Sequence, residues 1–259
     1  MPVSRCRAIP KDFEDALKAN QNMVEWLLVT EVSEEIFKRY FLESQDQPFS
    51  FTCTYDRHLE VLLLSMAISD AHQTARFEFH HLLRNATSSA GVELRTRAGF
   101  RSTQGGGKMP DGAWRPLHPP PGQSSDWPSA VLEVSYSETR AKLMNNIRHW
   151  FWASGGDVKV VFTVDIERRA PKVIIEQWVD MNGWHRPEQQ ITISKSSTGA
   201  YVSGPLEVSF ERLFLRSPTP FDEAIIRIRE DALIWYAQAI WQDQGFEVSN
   251  TDSGQMPGS

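Results

Sequence analysis

Lys108-Met109-Pro110-Asp111-Gly112, followed further on by Val131-Leu132-Glu133-Val134-Ser135 and then by Lys142, is the stretch on which the reading of this chain turns. Side chains along a strand point to opposite faces in turn. A strand over 130–136 therefore puts Leu132, Val134 and Tyr136 on one face, and Glu133 and Ser135 on the other. Glu133 stands in the middle of an apolar run, where a carboxylate is costly unless it is paired, hydrogen-bonded or bound to a cation. Asp111 follows Pro110 at the start of the preceding strand, where Asp-Gly also suits a tight turn.

If those two strands are neighbours, the carboxylates of Asp111 and Glu133 converge. Both can then bind one Mg²⁺ (or Mn²⁺), a hard ion that takes carboxylate, phosphate and water oxygens. Such an ion polarises a phosphoryl oxygen and acidifies the attacking water, while a nearby lysine offsets charge developing on the phosphate. Plainer readings stand beside this one. Asp111-Gly112 alone reads more readily as a turn, and Glu133 alone reads equally well as a salt-bridged strand residue. Lys142 is a lysine on the edge of an apolar helical stripe formed by Leu143, Ile147 and Phe151, with Asn146 and His149 on a neighbouring face. It either leans toward the sheet or is simply solvated. Lys108 is the other candidate cation.

Around this stretch the chain reads as follows. Residues 11–45 have rough apolar stripes and predict helix, and residues 57–68 and 69–86 predict a second helical stretch with Ser69 or Asp70 as its cap. Val92 to Phe100 alternates as a strand, and Ser102 to Gly107 is a Gly-rich connector. Leu117 to Trp127, with its prolines, is a loop. Ala130 to Tyr136 is a strand, and Ser137 to Ser154 a helix stopped by Gly155-Gly156. Strands follow over 157–166, 172–179 and 190–194, with a turn at 180–183 and a short strand over 208–215. Residues 221–243 predict a long amphipathic helix, and 249–259 a disordered tail.

Composition sets the bounds. A chain of 259 residues with 41% hydrophobic and 11% aromatic content buries a sizeable core. Its net charge of -6 supplies no general basic field for nucleic acid. Two cysteines, Cys6 and Cys53, lie in no metal-ligand or disulfide spacing. No signal peptide and no apolar run of membrane-spanning length are read, so the expectation is a soluble cytoplasmic or nuclear protein without membrane contact.

The order helix, strand, strand, strand, helix, strand, with Pro-Asp and the mid-strand Glu133, resembles the restriction-endonuclease-like, or PD-(D/E)XK, superfamily over residues 70–180. Asp111 matches the Asp of its Pro-Asp half and Glu133 the first acid of its second half. Position 135, which should be lysine, is Ser135. Members of the superfamily sometimes supply that lysine from the following helix, where Lys142 stands. The run Pro-Asp, Glu-Val-x-x-Ser and Lys-Leu before a Gly-ended helix is similar to a fungal branch. The resemblance implies an α/β fold with a mixed β-sheet flanked by helices, an N-terminal helical extension (1–55), a core (56–216), a long C-terminal helix (217–246) and a tail (247–259). It also implies a Mg²⁺-dependent nuclease acting on DNA or RNA, with Asp111 and Glu133 as metal ligands and Lys142 and Glu78 as further catalytic residues.

Glu78 is the acid this superfamily often takes from its first helix, and it falls in line with Ala71, Ala75 and Leu82. Pairing with Arg95 or Arg97 is its simpler role. Adjacent His80 and His81 point about 100° apart on a helix and do not chelate together. Gly105-Gly106-Gly107-Lys108 lacks the first Gly and the Ser or Thr of a phosphate loop. Between Arg84 and Arg115 basic residues outnumber acids, which suits either a phosphate backbone or an ordinary solvated face. Trp114 and Trp127 read as core or loop-capping residues before they read as base-stacking ones. Two alternatives complete the expectations: a binding module of the same fold that has lost cleavage with the lysine at 135, and a homodimer formed through the 221–243 helix at Ile228 and Tyr236.

Overall fold

The computed structural model describes residues 3–7, 26–39, 52–65, 69–96, 101–103, 106–123, 126–136, 140–197, 199–219 and 224–247. The chain divides into two compact units, residues 1–69 with 98–110, and residues 70–97 with 111–259.

The first unit is a sheet of six strands: β1 (Val3–Arg7), β2 (Trp26–Thr30), β3 (Thr52–Asp56), β4 (Val61–Ser65), β6 (Arg101–Thr103) and β7 (Gly106–Lys108). They lie in the order β1-β2-β4-β3-β7-β6, with β1 parallel to β2 and the remaining pairs antiparallel. A short helix, α1 (Glu34–Phe37), begins at Ser33, whose hydroxyl accepts from the Ile36 N–H at 3.3 Å. Phe37 stacks on Tyr55 with ring centroids 4.2 Å apart, and the Tyr55 hydroxyl donates to the Val32 carbonyl at 3.0 Å.

Here two helical expectations are corrected. Residues 26–30 are β2 rather than helix, while 11–25 and 40–45 lie outside the described residues. Residues 61–65 are β4, paired on both sides by β2 and β3, with Leu62 and Leu64 buried and Val61 and Leu63 half-buried. Four consecutive apolar residues satisfy a buried strand and a helix face equally, so pairing decides. The expected connector at 102–107 also contributes paired strands, β6 and β7.

The second unit carries a seven-stranded mixed sheet flanked by helices, the architecture expected of a restriction-endonuclease-like fold. Helix α2 (Asp70–Ser89) leads into β5 (Leu94–Thr96). After residues 98–110 the chain returns through β8 (Gly112–Pro116), β9 (Ala130–Ser135), α3 (Arg140–Ala153), β10 (Val160–Ile166), β11 (Lys172–Met181), β12 (Trp184–Ser196) and β13 (Gly199–Val202). The strand order is β13-β12-β11-β10-β9-β8-β5, with β9 and β10 parallel across the α3 connection and the other pairs antiparallel.

Alternation assigns the two faces. Ala130, Leu132, Val134, Val160, Phe162 and Val164 pack with α2 and with α5 (Glu230–Asp243) in the larger core. Within it Phe79 touches Trp114, Phe162 and Tyr236, and the Tyr236 hydroxyl donates to the Ala75 carbonyl at 3.1 Å. On the other face Val131, Val161 and Trp178 meet Leu143, Ile147, Trp150 and Phe151 of α3. Every residue of β9 is buried. Covering both faces makes β9 costly ground for any polar side chain.

Two further expectations change near the C-terminus. The short strand expected over 208–215 is β14 (Leu206–Ser209) followed by a short helix, α4 (Phe210–Phe214). The helix expected over 221–243 begins only at Glu230. Ile225–Ile228 instead form β15, paired antiparallel with β14 and alternating exposed with buried. Residues 221–223 and 248–259 lie outside the described residues. Ile228 and Tyr236, the residues expected to mediate self-association, are buried within the chain's own core. Among the described residues no helix is long and apolar enough to cross a membrane.

Candidate active site

Glu133 projects from the middle of β9 toward α3. Its Oε1 accepts from the Trp150 indole N–H at 2.7 Å and its Oε2 from the Asn146 amide at 2.9 Å. These two donors satisfy a carboxylate that is only 5% exposed. Asn146 and Trp150 are four residues apart, on one stripe of α3. Lys142 stands one turn earlier on the same stripe and is half-buried. The helix face that holds Glu133 thus carries a lysine next to it in sequence period.

Asp111 stands at the entry to β8, opposite the second half of β9. Its Oδ2 accepts from the Val134 N–H at 2.7 Å, and its own N–H donates to the Leu132 carbonyl at 3.1 Å. From α2, His72 Nε2 lies 3.6 Å from Oδ2, and Arg76 Nε lies 3.7 Å from Oδ1 while donating to the Asp111 carbonyl at 3.0 Å. Burial pushes this carboxyl up, but the positive field of His72 and Arg76 and the Val134 N–H outweigh it and hold the pKa at about 2. Asp111 is therefore ionised at neutral pH.

The glycine after Asp111 has a different origin from the turn expected. Gly112 pairs with Leu132 in the sheet, and its φ is not positive. A Cβ there would come within 2.7 Å of the Trp114 ring and 3.2 Å of the Leu132 Cβ. The requirement is space beneath a buried tryptophan.

The polar half of the α3-facing sheet extends beyond Glu133. In register across three strands lie Glu133, Thr163 and Glu176, and beside them Ser135 and Asp165. Arg140, in the first turn of α3, grips Glu176 with two hydrogen bonds of 2.7 and 3.1 Å. The Thr163 hydroxyl and the Trp178 indole donate to the same carboxylate at 3.4 and 3.2 Å. Ser135, at the position where the motif has lysine, hydrogen-bonds the Asp165 carboxylate, whose pKa is raised by burial against that bond.

Asp111 thus bonds β9 at Val134, the residue that directly follows Glu133, while the Glu133 carboxylate points to α3. The two acids are held from different helices, Asp111 by α2 and Glu133 by α3. Glu78 lies elsewhere on α2. It makes no ion pair among the described residues, and burial raises its carboxyl, with His81 opposing. Arg97, one partner expected for it, is outside the described residues. Lys108 is a buried residue of β7 in the first unit. His80 is half-buried, accepts from the Trp114 indole N–H at 2.9 Å and lies parallel to that ring, so it is the partner of a core tryptophan. Trp127 packs edge-on against Trp150. Among the described residues no three His, Cys, Asp or Glu side chains are grouped to hold a metal ion.

Sequence reasoning missed His72, Arg76, Asn146, Trp150 and the Arg140–Glu176 pair. The spacings were available: His72 and Arg76 are one turn apart, as are Lys142, Asn146 and Trp150. What they face depends on which helix covers which side of β9, and only the tertiary structure supplies that.

No family model matches this chain, and neither does any curated protein. Among solved structures it is similar to a proposed nuclease belonging to DUF820 from Anabaena variabilis ATCC 29413. The match spans 76% of this chain and 96% of that one, with a TM-score of 0.42 and 12% identity. None of these comparisons bears on the fungal branch.

Proposed function

We propose that this chain is a Mg²⁺-dependent nuclease that hydrolyses phosphodiester bonds of nucleic acid. The observation that supports this reading is that Asp111, at the entry to β8, bonds the Val134 N–H next to Glu133 on the neighbouring strand β9. The donor set suits the ion in kind. Asp111 is held ionised, and both side chains offer the carboxylate oxygens that such an ion takes. Two carboxylates completed by substrate phosphate and water make a Mg²⁺ site without a third acid. Such an ion supplies Lewis-acid polarisation of the phosphoryl group and a more acidic water.

The remaining roles belong to the chain's own groups. Trp150 and Asn146 orient Glu133, as hydrogen-bonding partners of a metal-ligating carboxylate do. The Val134 N–H orients Asp111. Lys142, one turn before Asn146, is the cation that would offset charge on the reacting phosphate.

A second reading, the same fold binding nucleic acid without cutting it, is favoured by two observations. Ser135 replaces the motif lysine and is engaged with Asp165, and His72 and Arg76 already stand against Asp111. The test is Mg²⁺ or Mn²⁺ binding by calorimetry beside cleavage of mixed DNA and RNA, with Asp111→Ala and Glu133→Ala alongside. Cleavage that vanishes in both variants supports the nuclease. A folded wild-type protein that binds nucleic acid but never cleaves it refutes the nuclease in favour of the second reading.

A further inference from the structure

Helix α2, strand β15 and the start of α5 form a cavity of about 230 Å³ in the second unit. Part of its lining is apolar: Leu82 and Ala86, one turn apart on α2, with Ile228 of β15 and Ala232 of α5. From α5 the half-buried indole of Trp235, one turn beyond Ala232, lines it as well. From α2 come His81, Asn85 and Ser89, spaced four apart and so on one stripe of the helix. Arg227 and Arg229 complete the lining. They alternate with buried Ile226 and Ile228 along extended backbone, and both are exposed.

The polar groups narrow what this cavity can hold. No Asp or Glu is among the described residues that line it. Both arginines have acid partners outside the lining, and each gives its acid only part of its fork. Glu207 takes Nε and one terminal nitrogen of Arg227, at 2.9 and 2.6 Å. Asp231 takes Nε and one terminal nitrogen of Arg229, at 3.1 and 2.8 Å. The second terminal nitrogen of each guanidinium keeps its N–H donors. An arginine already fixed by an acid also loses less freedom when it takes a ligand. Two such groups side by side suit a phosphate, which accepts from several donors at once, better than a carboxylate, which a single fork satisfies. The apolar residues and the indole suit a flat ring, and the Asn85 amide, which both donates and accepts, can read that ring's edge.

We propose that this cavity binds a nucleoside monophosphate, with the base against Trp235 and the apolar residues and the phosphate at Arg227 and Arg229. Its size lies just under the range of about 300–1,000 Å³ for small-molecule sites. A single base fills such a space, and the phosphate stays at the rim, where the exposed arginines stand. The site is separate from the acid pair. His72, which faces Asp111, is nine residues before His81 on α2, about 14 Å along the helix axis. Nucleotide binding here therefore stands whether or not Asp111 and Glu133 support cleavage.

The experiment is calorimetric titration of the full chain with AMP, adenosine and inorganic phosphate, in EDTA. Wild type is expected to bind AMP about tenfold or more tighter than adenosine or phosphate alone, since a hydrogen bond to a charged group is worth roughly that factor. Arg227→Gln/Arg229→Gln is expected to bring AMP down to the affinity of adenosine and to leave adenosine unchanged. Trp235→Leu is expected to weaken both by about fivefold or more. Trp235→Phe keeps most of the affinity, which separates lost stacking from a folding defect. Asp111→Ala is expected to bind AMP like wild type. A wild-type protein that binds no AMP at millimolar concentration overturns the proposal. So does equal affinity for AMP and adenosine, or inorganic phosphate binding as tightly as AMP, which makes the arginines an anion site only. AMP binding lost in Asp111→Ala but kept in the arginine variant, with both folded by circular dichroism, overturns it too by placing the nucleotide at the acid pair.

Discussion

Replacing Asp111 by Asn keeps its shape and its hydrogen bond from Val134 but removes the charge that His72 and Arg76 face. The native carboxyl is lowered from 3.8 to about 2. That difference corresponds to about 2 kcal/mol of stability at neutral pH, a large share of the roughly 5–15 kcal/mol of a typical domain. A depressed pKa contributes fully above the unfolded value near 4 and is lost as pH falls through the native value near 2. The variant is therefore expected to trail wild type by about 2 kcal/mol at pH 7, by about half of that at pH 3, and by little at pH 2. Urea unfolding followed by tryptophan fluorescence, in EDTA across this range, reads the gap directly. A gap under about 0.5 kcal/mol at pH 7, or one unchanged between pH 7 and pH 2, would refute the claim that the Asp111 charge is held by α2.

Three other outcomes follow from the same structure. Gly112→Ala is expected to cost about 1–3 kcal/mol by overpacking against the Trp114 ring and the Leu132 Cβ, read as a lower urea midpoint with an unchanged slope. Glu133→Gln turns an amide donor toward Trp150 or Asn146, which are themselves donors, and should cost about 1–3 kcal/mol. An Asn146→Asp/Glu133→Gln pair that recovers part of this loss would support the assignment. Cys53 is buried in the first unit, with its thiol pushed up to about 12 by burial. It is expected to ignore a thiol reagent such as DTNB in the native state and to react only at the rate of unfolding.

How far the fold could be read ahead depended on where a sequence pattern had one solution. In β9 the alternation about Glu133 had only one, because an acid flanked by four apolar residues marks its own face. Helix α3 was equally plain, with Leu143, Ile147 and Phe151 in helical period and Gly155-Gly156 after it. At Val61-Leu62-Leu63-Leu64 and Trp26-Leu27-Leu28-Val29 the apolar residues are consecutive, and only pairing, of β4 with β2 and β3 and of β2 with β1 and β4, makes them strands. At Ile225–Ile228 two isoleucines in helical register with Leu233 hid a strand, since positions 225 and 228 suit both. The site was legible as Asp111 and Glu133 in sequence. Their partners His72, Arg76, Asn146 and Trp150 were not, because each acid is met by whichever helix the tertiary fold lays over it.

The chain visits the two units in an interleaved order. It enters the second with α2 and β5, gives β6 and β7 to the first, and returns at Asp111. Pairing of β3 with β7 sets Asp56 opposite Gly106, so all of α2 and β5 lies inside the loop that this pairing closes. During synthesis the first unit cannot complete its sheet until the helix bearing His72 and Arg76 has already left the ribosome. Nor can one proteolytic cut release either unit whole: severing before α2 alone leaves β6 and β7 attached to the other part. A fragment beginning at residue 70 would carry those two strands without their partner β3, an orphaned edge prone to sticking to other chains. His72, Arg76, Asn146 and Trp150, which hold the two acids, all lie in the second unit, so such a fragment would keep them while exposing that edge.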